Sequence, residues 1–169
     1  VADGIKITVT IKNISERGYS TRARYLFDTY LGEKPNIHFT TETIERVSGE
    51  TVFTQYAMPE YVLSPVEGGG GEGFSGLQIM LKGEGIDTPV RAVLANWKRL
   101  NDTVYDYTVK TSSNFNLLPY SVNDSAVSLY YGEQTLQRNQ SREIVIAMGN
   151  FNEDGFTPET GDMQSEIEA

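Results

Sequence analysis

Histidine is the side chain that most often acts as a general base near neutral pH, and this sequence contains one, His38. A serine triad would have to use it, but no Gly-x-Ser-x-Gly nucleophile motif is present. His38 stands between Ile37 and Phe39, so it is also a single polar position on a short predicted strand. We treat His38 as a candidate ligand-binding residue and expect no catalytic role for it.

Acidic side chains are the second group that could perform chemistry. Asp28 and Glu33 flank the turn Tyr30-Leu31-Gly32, and Glu42 and Glu45 follow it. A glycosidase needs two carboxyl groups roughly 5–9 Å apart across a sugar cleft. Acidic side chains are usually solvated, so we interpret Asp28 as a turn cap and the others as surface charges. Asp28, Tyr30 and Glu33 remain candidate ligand-binding residues.

Aromatic side chains could supply a surface on which a sugar ring stacks. The sequence has one tryptophan, Trp97, and ten tyrosines. Aromatic residues also pack well between neighbouring strands, so we expect most of them in the core or in cross-strand contacts. Trp97 is the aromatic candidate for ligand binding.

A possible calcium loop begins at Asn150. Asn150, Asn152 and Asp154 place oxygen ligands at alternate positions before Gly155, as a calcium loop requires. Position twelve is Gly161, however, where such a loop has a bidentate glutamate. The alternative interpretation is an ordinary Asn/Asp/Gly turn, and we predict no cofactor.

Composition excludes several classes of partner. The chain has 14 Lys and Arg against 23 Asp and Glu, a net charge of −9. Nucleic acids and anionic membranes bind clustered basic residues, so neither is an expected partner. The absence of cysteine excludes disulfides and thiolate metal sites. No apolar run approaches the ~20 residues of a membrane span, so this segment should not insert into a membrane.

The elements that must position these residues read as strands. In Ile5-Lys6-Ile7-Thr8-Val9-Thr10-Ile11-Lys12 apolar and polar residues alternate without a break, which predicts a half-buried strand. A second strand at 21–28 is predicted to form a hairpin-like pair with it. Further strands are predicted at residues 37–41, 43–47, 77–81, 90–95, 104–109, 127–131 and 143–148. Many short strands between turn residues predict an all-β, twisted two-sheet antiparallel β-sandwich.

Two segments break this pattern. Residues 59–76 contain the run Gly68-Gly69-Gly70-Gly71-Glu72-Gly73, which predicts a mobile loop. Residues 151–169 carry six acidic residues and no Lys or Arg, which predicts an exposed tail or a linker into a following domain. We therefore predict one sandwich domain over residues 1–150, followed by an acidic linker or tail.

Several stretches resemble, in order, segments of a bacterial β-sandwich domain family of unknown function. Residues 23–32 (ARYLFDTYLG) resemble its R-x-L-x-D-T-x-L-G segment, and residues 93–100 (VLANWKRL) resemble its ANW-x-x-L segment. Residues 124–131 (DSAVSLYY) are similar to its DSAVALY segment, and residues 141–146 (SREIVI) match the strand that closes the domain. The resemblance spans about residues 4–150.

The resemblance implies a galactose-mutarotase-like super-sandwich in an exported bacterial protein, in the periplasm or on the cell surface. It supplies no catalytic residues, and where mutarotase-type enzymes keep a histidine after the second strand this chain has Asp28-Thr29-Tyr30. We expect a non-catalytic structural or protein-interaction module of a multidomain cell-envelope protein, with neighbouring domains or envelope proteins as partners. The alternative is a carbohydrate-binding module, or a relative of a glycan-active enzyme, with a glycan as ligand.

Overall fold

The computed structural model describes residues 4–29, 37–65 and 76–151. These residues form eight β-strands, one short α-helix and one turn of 3-10 helix at Gln55–Ala57. The strands are β1 (Gly4–Lys12), β2 (Tyr19–Asp28), β3 (Thr51–Thr54), β4 (Tyr61–Pro65), β5 (Gly76–Met80), β6 (Arg91–Asn96), β7 (Ser125–Leu136) and β8 (Ser141–Asn150), and the helix α1 is Trp97–Asn101.

Two antiparallel four-stranded sheets pack against each other, which confirms the predicted all-β sandwich. Sheet A has the order β1-β8-β5-β4, and sheet B has the order β2-β7-β6-β3. The pairs are nested, because β1 pairs with β8, β2 with β7, β3 with β6, and β4 with β5. The strands that begin and end the sandwich therefore lie side by side.

Sheet B is buried on both of its faces. Along β6, Ala92 and Leu94 belong to the main core, whereas Val93 and Ala95 belong to a second core. The helix α1 and residues 105–109 contribute side chains to this second core, over the outer face of the sheet. A strand buried on both faces reads as a continuous apolar run, as residues 92–95 do.

Several predicted strands are wrong in detail. Residues 104–109 alternate between exposed and half-buried side chains as predicted, but they join no sheet and pack across sheet B. Residues 37–41 and 43–47 form only isolated bridges, between Phe39 and Val47 and between Thr40 and Leu63. The predicted hairpin of β1 with β2 is also wrong, since β1 pairs with β8 and β2 with β7 in the other sheet.

Two strands lie where the sequence predicts none. Thr51–Thr54 forms β3 at the edge of sheet B, and Tyr61–Pro65 forms β4 within the segment predicted as a loop. Both are short, so their alternation covers too few residues to stand out from the flanking turns. The glycine run itself and residues 152–169 lie outside the described residues.

Across residues 4–29, 37–65 and 76–151, no helix combines the length and the apolar character needed to cross a membrane.

Truncation of a side chain in the main core should lower the free energy of unfolding much more than truncation of an exposed side chain. Leu129 on β7 is fully buried in that core, whereas Val104 is 99% exposed. Leu129→Ala should lower the free energy of unfolding by about 2–5 kcal/mol, because it leaves a cavity. Denaturant unfolding measures this, with Val104→Ala as the matched control. Equal losses for the two variants would contradict the assigned core.

Candidate functional site

Three of the four segments on which the predicted resemblance rests meet at one end of sheet B, whereas the fourth, residues 141–146, lies in β8 of sheet A. Asp28 at the end of β2 pairs with Ala126 of β7, and Asn96 at the end of β6 pairs with Ser125 of the same strand. The hydroxyl of Thr29 donates to the carbonyl of Ser125 at 3.1 Å. These motifs are therefore neighbours in space, and the contacts between them are structural.

Asn96 fixes the chain that leaves this end of the sheet. It is fully buried, and its Nδ2 donates to the carbonyls of Phe115 (2.9 Å) and Asp124 (3.0 Å) and to the Ser121 hydroxyl (2.8 Å). Its Oδ1 accepts from the backbone N–H of Arg99 at 3.2 Å, which caps the start of α1. One amide thus positions both the helix and the segment 115–124.

Arg24 of β2 holds the other end of α1. Its guanidinium donates to the carbonyl of Leu100 at 2.8 Å, to the carbonyl of Thr103 and to the Ser128 hydroxyl at 2.8 Å. It also lies over the ring of Tyr130, 5.6 Å from the centroid. These contacts attach α1 and the following turn to the outer face of sheet B.

Glu50 is a buried carboxylate just before β3. Its Oε1 lies 2.6 Å from Nη1 of Arg99, and the Tyr107 hydroxyl donates to both carboxylate oxygens at 2.8–2.9 Å. The backbone N–H of Lys110 donates to Oε2 at 3.2 Å. Three donors therefore occupy this carboxylate, and it acts as a clamp between β3 and the segment over sheet B.

The clamp suppresses ionisation of Tyr107. Burial raises the pKa of this phenol well above its ordinary value, and both the hydrogen bond to Glu50 and the negative charge of Glu50 raise it further. The Arg99 charge acts in the opposite direction but is the smaller influence. Tyr107 is therefore a neutral hydrogen-bond donor over the physiological pH range.

A groove of about 540 Å³ lies beside this clamp. Its lining mixes polar and apolar surface: serine, threonine and asparagine side chains, the exposed Arg46, and apolar side chains that include Ile44 and Val52. Gly49 allows the close approach of the two walls, since a Cβ here would lie 2.8 Å from the carbonyl of Ser113. The groove is open and of mixed polar and apolar character, and the Glu50 carboxylate beside it is already paired.

Two of the predicted ligand-binding residues lie in packed positions. His38 is buried, and its ring centroid lies 4.4 Å from that of Phe115. Trp97 begins α1 and packs, half-buried, against the second core. The two side chains are thus held by separate sets of neighbours.

The predicted acidic and metal-binding residues are spread over the surface or lie outside the described residues. Asp28, Glu42 and Glu45 are exposed, and Glu42 accepts from the backbone N–H of Glu60 at 3.0 Å. Asn150 ends β8. Tyr30, Glu33, Asn152 and Asp154 lie outside the described residues. Within the described part of the chain, no three side chains of the metal-ligating types come together as a metal site.

An exposed apolar loop is the feature that the sequence did not reveal. We call residues 117–122 the apolar loop, because Leu118, Tyr120 and Val122 are 72%, 75% and 55% exposed. The only signal for it is a run of apolar residues (LLPYSV) between Asn116 and Asn123, where a turn is otherwise expected. Periodicity does not distinguish such a loop from a strand that is buried.

The apolar loop has a fixed base. Leu117 and Ser121 exchange backbone hydrogen bonds of 2.6 and 2.9 Å, and Tyr120 N–H donates to the Leu117 carbonyl at 2.8 Å. The Ser121 hydroxyl, which accepts from Asn96, donates to Oδ2 of Asp124 at 2.7 Å. Arg99 donates to the carbonyl of Asn116 at 2.6 Å. The loop is therefore attached to the same residues that hold α1.

Comparisons with family models, with curated proteins and with solved structures found no match for this chain. The resemblance to a galactose-mutarotase-like family accordingly stays a prediction.

Glu50→Gln tests the clamp. The variant keeps the shape of the side chain but leaves the Arg99 guanidinium without its counter-charge, so we expect a loss of about 2–4 kcal/mol of unfolding free energy. Asp102→Asn is the matched control, because its pair with Lys98 is solvent-exposed. That control should cost about 0.5 kcal/mol or less. Similar losses in both variants would contradict a structural role for Glu50.

Tyr107→Phe tests the pH dependence of the clamp. The fold favours the neutral phenol, so the stability it contributes is complete below the ordinary tyrosine pKa of about 10 and is lost as the pH rises above it. At pH 8 the variant should be less stable by about 1–2 kcal/mol. The difference from the unmodified protein should narrow above pH 10. Denaturant unfolding at pH 8, 9 and 10.5 measures it, and a difference that widens with pH would refute the assignment.

Proposed function

We propose that this chain is a non-catalytic interaction module of a multidomain bacterial cell-envelope protein. In this proposal it docks a neighbouring domain or another envelope protein through the apolar loop. The observation that carries the proposal is the exposure of Leu118, Tyr120 and Val122 on a base held by buried hydrogen bonds.

Binding through the apolar loop requires little additional ordering of the chain. Exposed apolar side chains that lie together mark interaction surfaces, because their burial against a partner is favourable. A loop that is already ordered loses little conformational entropy on binding, so more of the burial free energy appears as affinity. Leu118 and Tyr120 therefore have the properties of binding hot spots, as aromatic anchors often do.

The polar side chains that could take part in catalysis support the same conclusion. Glu50 binds both Arg99 and Tyr107, Asn96 binds four backbone or hydroxyl groups, and Arg24 binds two carbonyls and a hydroxyl. A catalytic group must instead face the substrate and exchange a proton or a bond with it. These side chains serve to orient the segment that carries the apolar loop.

The carbohydrate-binding alternative receives less support. Tyr19, exposed at the start of β2, pairs with Leu136 at one end of β7. Tyr120 lies near Asn96, which pairs with Ser125 at the opposite end of that strand. The length of β7 separates them by roughly 35 Å at the usual rise per residue of a strand, so the two rings do not form one stacking surface.

Site-specific photo-crosslinking tests the proposed docking. A photoreactive phenylalanine analogue replaces Tyr120 in the full-length protein, in the cells that make it, and replaces Tyr56 in a matched control. Tyr56 is 98% exposed and lies on a different segment. We expect one discrete adduct from position 120 and none from position 56, identified by mass spectrometry.

The identified partner then allows an affinity measurement. Leu118→Ser and Tyr120→Ser should each weaken binding to it at least tenfold, roughly the effect of removing a hot spot, while Tyr56→Ser should leave it unchanged. Adducts of equal yield at positions 120 and 56, or none at 120, would argue against the proposal. Saturable glycan binding that Tyr120→Ser does not affect would favour the carbohydrate alternative.

A further inference from the structure

The four edge strands of the sandwich differ in how their outer backbone is covered. The start of β3 is covered because Glu50 N–H donates to the carbonyl of Ser113 at 2.9 Å. In β4, Leu63 exchanges two backbone hydrogen bonds with Thr40. In β2 a register shift between Thr21 and Ala23 interrupts the ladder. Bulges and covering segments of this kind protect an edge from pairing with other strands.

The edge strand β1 is regular along its whole length. Its nine residues pair without a register shift with β8, from Gly4 opposite Gly149 to Lys12 opposite Ser141. Among the described residues, β8 is the one strand that pairs with it. A long regular edge is a template for the addition of another strand.

The hydrogen bonds of β8 show which groups of β1 point outward. Val145 lies opposite Thr8, but its N–H and its carbonyl bond to Asp87 on the other side, at 2.8 and 2.9 Å. Asn13 N–H, in contrast, points toward β8 and donates to the Gln140 carbonyl at 2.9 Å. Because these directions alternate along an antiparallel ladder, the N–H and carbonyl groups of Lys6, Thr8 and Thr10 point away from β8.

We infer that this edge pairs with β1 of a second copy of the chain, antiparallel and centred on Thr8. In this register all nine residues pair, Thr8 lies opposite Thr8, and Lys6 lies opposite Thr10 of the second copy. The two sheets A then form one continuous sheet with a twofold axis between its halves. The inference is independent of the apolar loop and extends beyond the proposed function.

The length and the charge pattern of β1 are together self-complementary in this register. An axis at Ile7 avoids opposed lysines but leaves Ile11 and Lys12 without partners in the second β1. A shift of the twofold axis by one residue to Val9 places Lys6 opposite Lys12, and a shift to Lys6 places two lysines opposite each other. Like charges directly across a strand pair are destabilising, whereas Thr–Thr pairs are favourable. The strand therefore pairs best with itself about Thr8, where all nine residues have partners and neither lysine lies opposite another lysine.

The apolar face of β1 gains contacts in the same register. Ile7 and Ile11 pack against the main core, whereas Ile5 is 60% exposed although it lies on the same face. Antiparallel pairing centred on Thr8 places Ile5 opposite Ile11 of the second copy, at the usual cross-strand spacing of about 4.5–5.5 Å between Cβ atoms. Pairing thus covers the exposed apolar residue of this strand.

Single cysteines test the register, because the full chain has no cysteine of its own. In Thr8→Cys the two thiols lie directly opposite, at a Cα separation of about 5.5 Å that a disulfide spans. In the matched control, Thr10→Cys, the two cysteines are offset by four residues, roughly 13 Å along the strand. Mild oxidation should give a disulfide-linked dimer of the first variant and leave the second monomeric on a non-reducing gel. Equal crosslinking of both variants would overturn the register.

Sedimentation equilibrium of the full chain tests the association without crosslinking. The unmodified protein should be a dimer that dissociates on dilution. Thr8→Lys should raise the dissociation constant of this dimer at least tenfold, because it places two lysines opposite each other. Thr54→Lys, on the edge strand β3, should leave the dimer unchanged, and circular dichroism checks that each variant is folded. A monomeric unmodified protein overturns the inference. If its Thr8 amide is then protected from hydrogen exchange, a segment of its own chain occupies the edge.

Discussion

The burial of sheet B on both faces is the constraint on which the rest of the molecule depends. A sheet that covers the main core on one side would normally expose its other side to water. Here α1 and the segment that follows it close the outer face with a second apolar core. Because that segment joins no sheet, side chains must fix it. Glu50 with Arg99, Asn96, and Arg24 supply these attachments.

These attachments explain why the chain has strongly bound polar residues in its interior. A buried carboxylate or guanidinium is tolerated when its partners satisfy it, and it then specifies one arrangement of the segments it joins. Glu50 and Arg99 are 49 residues apart in the chain, yet together they hold residues 110–116 beside the start of β3. The apolar loop follows this segment directly in the chain, so the position of its exposed side chains is defined as well.

The two sheets consequently have different surfaces. Sheet B is covered along β6 and the first half of β7, whereas the start of β2 and residues 133–135 of β7 are exposed. On sheet A the outer side of β1 is exposed and its edge is regular, whereas Leu63, Gln78 and Ala147 on the other strands are buried. The opposite edge of the sheet, at β4, is bridged by Thr40. The nested order of pairing produces this arrangement, because it makes β1 an edge strand of sheet A. The apolar loop and the β1 edge are thus separate places at which the domain can meet another molecule.

The sequence by itself determined the fold class and most of the strands. Alternation and strand-favouring composition are local properties, so β1, β2, β5, β6 and β8 were predictable within one or two residues. The nucleic-acid-binding classes were disfavoured by charge alone. Residues 104–109 were predicted as a strand, and the local pattern did not show that this segment lies across a sheet. Which strands pair, which carboxylate becomes buried and which apolar run stays exposed were decided by the tertiary structure. Each depends on contacts between residues far apart in the chain, and local side-chain patterns carry no record of them.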